Sequence, residues 1–276
     1  MDHPETIGFG LENFDTDAVM PILLKDAHIF PADELRLHVP QEQRIRYLGK
    51  YALEVKQLPC EARTRDTFDR ALTLFKLYKD GVVLSNIYQV YSDWKSDFLP
   101  HYTYWLGETP RTLTYRIAAE EIDQFRGFWE EHHSLDVTAF AVTRFHRAGF
   151  RPYMADRVLD YVEALESLFV PDSGSGEIGY KLRSRLCQIL GKNSSPDERK
   201  KMYYFVRDVY TLRSQIVHGQ QPAAPAQPPG FQSWDTLLGA LRNYTRKAIC
   251  LFNREGHLTD SESRRKYLLG KLLFES

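Results

Sequence analysis

The chain has 276 residues, enough for one large domain or two ordinary ones with a real core. With 43% hydrophobic and 26% charged residues it has the composition of a soluble globular protein, not of a low-complexity or fibrous one. A formal net charge of −1 excludes a global attraction to nucleic acid, so any such binding has to come from a local patch.

The start, MDHPETIGFGLENFD, is acidic and has no long apolar run, so it is not expected to be a signal peptide. Nor does any window hold about 18 uninterrupted apolar residues, which argues against a membrane-spanning helix. Residues 1–118 mix β-like runs with turns. YALEVKQL (51–58), GVVLSNIYQVY (81–91) and TLTYRI (112–117) are rich in β-branched and aromatic residues. TRDTFDRALTLFKLY (64–78) has a helical period and can be capped by Thr64 or Asp66. Together they predict a small α+β region. The cysteines, Cys60, Cys187 and Cys250, are odd in number and far apart. They suggest neither a disulfide framework nor a zinc site, and favour a reducing, cytoplasmic compartment. No cofactor or metal ligand set stands out.

From 119 the pattern is helical. Residues 119–133 and 135–148 predict two helices. A third spans 152–170, with Pro152 at its first position and Val158, Val162, Leu165 and Phe169 as its apolar stripe. PDSGSG (171–176) breaks the pattern, and EIGYKLRSRLCQILG (177–191) resumes it. Ser195-Pro196-Asp197-Glu198 is a helix start with a capping box, and Gly219 suits a left-handed terminator. QQPAAPAQPPG (220–230) reads as a loop, residues 233–256 as a long helix, and SRRKYLLGK (263–271) as part of a basic-amphipathic tail that is solvated by default or packs on the body or on a partner. The sum is a mainly α chain. A bundle of four or five helices over 119–276 follows the smaller α+β region of 1–118.

On the helix 196–218, Met202, Phe205, Val209, Leu212 and Ile216 form one stripe. Arg213 lies about 40° from Val209, on the flank of that stripe, and His218 lies about 140° further round. Taken alone, two cations at a helix end are explained by the helix dipole.

Three stretches add a context: RVLDYVEALESLFVPD (157–172), GYKLRSRLCQILG (179–191) and ERKKMYYFVRDVYTLRSQIVHG (198–219), the last closing on R-x4-H-G. In order, spacing and helix length they resemble the HEPN superfamily, in particular its Apea-like branch, over about residues 135–255. The resemblance implies a HEPN-like helical bundle that forms a homodimer and a shared cleft holding Arg213 and His218 of each copy. It also implies metal-independent cleavage of RNA, single-stranded RNA foremost, often in antiviral defence or a toxin-like role. Other members keep the fold as a non-catalytic module that binds a nucleotide, RNA or a protein. The chemistry is coherent. RNA cleavage without a metal needs a base for the 2′-hydroxyl, an acid for the departing 5′-oxygen, and positive charge on the phosphorane. Histidine suits the first two and arginine the third.

Around this pair, Glu166 reads as a flank residue or as the group that orients Arg213. Arg185 reads as a packing residue or a phosphate contact. Tyr203, Tyr204 and Tyr210 read as core and interface aromatics before base-stacking ones. Asp160 reads as a helix-surface ion-pair residue near Arg157.

Overall fold

The first strand, β1 (Thr6–Leu11), sets the pattern for the first half of the chain: Ile7, Phe9 and Leu11 are fully buried at every second position. The computed structural model describes residues 6–34, 50–56, 64–81, 83, 85, 88–92, 95–97, 114–171, 177–219, 228, 230–256, 258 and 260–274. Cys60, most of the 171–176 break and most of the 220–230 loop lie outside the described residues. The chain is mainly α with an α+β N-terminal part, and it divides into two compact units, Met1–Ser134 and Leu135–Ser276.

In the first unit β1 pairs antiparallel with β5 (Tyr51–Lys56) and β6 (Tyr88–Ser92). With β3 (Ile22–Leu23), β4 (Ala27–Pro31) and β7 (Lys95–Asp97) they form one sheet of order β3-β4-β5-β1-β6-β7. A second, parallel pair joins β2 (Phe14–Thr16) to β8 (Tyr115–Ile117). The helix α1 (Thr64–Tyr78), predicted over the same residues, brings Phe68 edge-on to Phe9 at 4.9 Å. The strands before residue 32 escape the sequence reading because TIGFGL carries two glycines and β3 has two residues, too little for an alternation to register.

The expected boundary after residue 118 differs from the one observed. Helix α2 (Ile122–His132) belongs to the first unit, because Phe125 stacks on Phe75 of α1 at 5.5 Å and Trp129 meets the same ring edge-on at 5.9 Å. A buried polar knot fixes this packing. Trp129 Nε1 donates to Asp26 Oδ1 at 2.6 Å, and Arg70 Nη1 lies 3.0 Å from Asp26 Oδ2. Arg70 also donates to the carbonyls of His133 and Lys56, at 2.8 and 3.1 Å.

Among the described residues the second unit has six α-helices, where four or five are expected: α3 (Ala139–Ala148), α4 (Met154–Phe169), α5 (Ile178–Leu190), α6 (Pro196–Val217), α7 (Trp234–Arg254) and α8 (Ser261–Phe274). Val158, Val162, Leu165 and Phe169 of α4 are all buried, and Phe169 meets Phe252 of α7 edge-on at 5.3 Å. Pro152 stands outside α4, whose N-cap is Tyr153. The tail is not a solvated appendage. Leu268 of α8 is fully buried, and Arg264 donates to the carbonyls of Val137 and Leu258 at 2.5 and 3.0 Å.

Candidate functional site

The capping box at the start of α6 is present as predicted: Glu198 N–H donates to Ser195 Oγ, and Ser195 N–H donates to the Glu198 carboxylate at 2.8 Å. At the other end Gly219 adopts φ +65°, the left-handed turn that ends the helix. Between these limits the buried face consists of Met202, Val206, Val209 and Leu212, with Phe205 and Ile216 only partly covered. This face settles where Arg213 and His218 stand. His218 follows the last turn as its C-cap, donates its N–H to the Ser214 carbonyl at 3.0 Å, and is exposed. Arg213 turns inward, its side chain 27% exposed, toward α4.

There Arg213 meets Glu166. Its Nη2 lies 3.8 Å from Glu166 Oε2, close enough for charge attraction and too long for a hydrogen bond. Arg213 Nε and Glu166 Oε1 are both buried and lack a hydrogen-bond partner among the described residues. The guanidinium also lies 5.8 Å from the ring centre of Tyr210. Burial pushes the Glu166 carboxyl above its ordinary range; Arg213 opposes that shift and Glu163 adds to it. The result is a half-buried charge pair whose hydrogen-bonding capacity is not fully used.

Arg185 is elsewhere. It is 6% exposed, and its Nη1 donates to the Phe169 carbonyl at 2.8 Å, where it satisfies the end of α4. That burial favours the packing reading of Arg185 over the phosphate contact. Asp160 is not a surface residue either: it is 2% exposed and is held by Arg144 at 3.1 Å and Arg151 at 2.7 Å. Arg157 instead donates to the Arg151 carbonyl. Among the predicted site residues the structure therefore joins Arg213 to Glu166 and leaves His218 and Arg185 apart from them.

Arg183 takes the direction opposite to Arg185 that their spacing implies. The Arg183 guanidinium lies between two rings, 5.4 Å from Tyr180 and 5.1 Å from Tyr203, and its Nε donates to the Tyr203 hydroxyl at 2.8 Å. The R-x-R spacing of Arg183 and Arg185 was the available signal: residues two apart on a helix face opposite ways, so if one is buried the other is at the surface.

No group of three His, Cys, Asp or Glu side chains among the described residues is arranged to hold a metal ion. Among the same residues no helix is long and apolar enough to cross a membrane. Compared with known protein families, curated proteins and solved structures, the chain matches none.

Proposed function

We propose that this chain is a metal-independent endoribonuclease of HEPN type that acts as a homodimer on single-stranded RNA. The observation that carries the reading is the end of α6. Arg213 is held partly buried with an unspent Nε, while His218 stands exposed five residues later on the same helix. In a single helix the two diverge by about 140°. A second α6 from another copy supplies what one chain lacks, an arginine and a histidine that converge on one phosphate. In that cleft one His218 takes the proton of the 2′-hydroxyl as the oxygen attacks phosphorus. The P–O5′ bond breaks, and the other His218 returns a proton to the departing 5′-oxygen. Arg213 bears the charge of the phosphorane. The scattered cysteines favour a cytoplasmic setting, and the resemblance adds a role in antiviral defence or as a toxin.

The test is cleavage of a labelled single-stranded RNA in EDTA. His218→Ala is expected to lower the rate by about 100-fold or more while the dimer persists. Cleavage at the parent rate would sink the proposal. One observation favours a second reading, a non-catalytic module that binds RNA, a nucleotide or a protein: Arg213 already has an ionic partner in Glu166. In that case the unsubstituted chain binds its ligand and cuts nothing.

A further inference from the structure

We infer that α5 and α6 carry a tyrosine–arginine track that stacks the bases of single-stranded RNA and leads the strand to Arg213. The inference rests on RNA as the ligand of the α6 site, and it adds how the strand is held.

Four observations support it. First, charge is segregated. The chain as a whole has 36 Lys and Arg against 37 Asp and Glu, whereas residues 177–219, leaving out the buried Arg185, have eight against four. This is the local basic patch that a chain of near-zero net charge needs in order to bind a polyanion.

Second, the rings on this surface are open. Tyr180 is 51% exposed and Tyr204 is 42% exposed, although each is large enough to be worth burying. Third, each ring is paired with a guanidinium. Arg183 lies beside Tyr180 and Tyr203, and Arg207 lies 4.7 Å from the ring centre of Tyr204. Tyr203 and Tyr204 are edge-on to each other at 5.8 Å. Arg183 has a hydrogen bond only from Nε, and its two terminal nitrogens have no hydrogen-bond partner among the described residues. An aromatic face for the base beside a forked cation for the phosphate is the chemistry that holds a single strand without reading its sequence.

Fourth, the track is continuous with the site. Tyr210 lies flat against the backbone of Gly179, so close that a Cβ there would stand 2.6 Å from Tyr210 Cδ1. Gly179 precedes Tyr180, and Arg213 lies over the other ring neighbour, Tyr210. A strand stacked on Tyr180 and Tyr204 therefore runs along the α5–α6 surface that ends at Arg213.

The experiment is fluorescence anisotropy with the full chain and a labelled, uncleavable 2′-O-methyl RNA, so that binding is read independently of cleavage. Changing Tyr180→Ala and Tyr204→Ala together is expected to weaken binding by about 10-fold or more, since stacking one base is worth roughly a 5- to 150-fold change in affinity. Tyr180→Phe with Tyr204→Phe is expected to keep the parent affinity, because the ring face is retained. An abasic oligomer of equal length and charge is expected to bind weakly and to be indifferent to the alanine changes. Parent-like binding by the alanine variant overturns the track. So does equal binding of the abasic oligomer, or competition by polyglutamate as strong as by RNA, which would mark an acidic-protein surface. A chain that binds through the track but fails to cut RNA sinks the nuclease and leaves the track standing. A chain that cuts RNA yet binds it equally well without the tyrosines does the reverse.

Discussion

Two charge pairs, one in each unit, show how differently the same chemistry can be built. Arg70 and Asp26 are 4% and 9% exposed at their side chains, lie 3.0 Å apart, and are tied further to Trp129, His133 and Lys56. Arg213 and Glu166 are 27% and 19% exposed, lie 3.8 Å apart, and each keeps a buried polar atom with no hydrogen bond. The first pair offsets the cost of removing charge from water with a shorter contact and with hydrogen bonds made by Arg70 and received by Asp26 Oδ1, although Asp26 Oδ2 has no hydrogen-bond partner among the described residues. The second has a longer contact and no such surrounding network. The contrast teaches that burial of an ion pair does not by itself mark structure or function. What separates the two is how many further hydrogen bonds hold the pair in place.

The largest expected effect breaks the firm pair. Arg70→Ala leaves Asp26 buried without its cation and should lower the stability of its unit by about 3–5 kcal/mol. Hydrogen exchange of the β5 and α1 amides reads it, and unchanged protection would end the contrast. Arg213→Ala should cost about 1 kcal/mol or less, by the same method on α4 and α6. A loss as large as that at Arg70 would make Arg213 a structural residue.

The smallest effect is the most diagnostic. Burial raises the folded-state value of the Glu166 carboxyl above the ordinary 4.5. The folded state therefore holds a proton that the unfolded state releases, and parent stability falls as pH rises through the window from that ordinary value up to the raised one. Glu166→Gln lacks this decline. Urea unfolding at about pH 4 and about pH 7 should show the variant gaining on the parent as pH rises. A parent that gains instead would mean that Arg213 stabilises the carboxylate more than burial penalises it.

The helical part of the fold was largely legible. A capping box, a terminal glycine and a stripe of apolar residues are local signals, and α1 and α6 follow them closely. The sheet was half legible, since β1 to β4 depend on partners distant in sequence and carry glycine or only two residues. At the site, Arg213 on the flank of the core could be read from spacing alone. That Glu166 faces it was one of two readings of that residue; that Arg185 caps α4 and that Asp160 is buried between two arginines could not be read, because those contacts depend on how separate helices are set against one another. The Arg183–Tyr203 contact is of the same kind, made across 20 positions of sequence.

Gly179 has a consequence beyond the space it leaves. With no side chain of its own it acts as a gauge, setting how near α5 comes to Tyr210 and therefore where that ring presents Arg213. A methyl group there would be felt two contacts away, at a charge pair the residue never touches. The most sensitive adjustment of the arginine is thus written in the one neighbouring position that carries no chemistry.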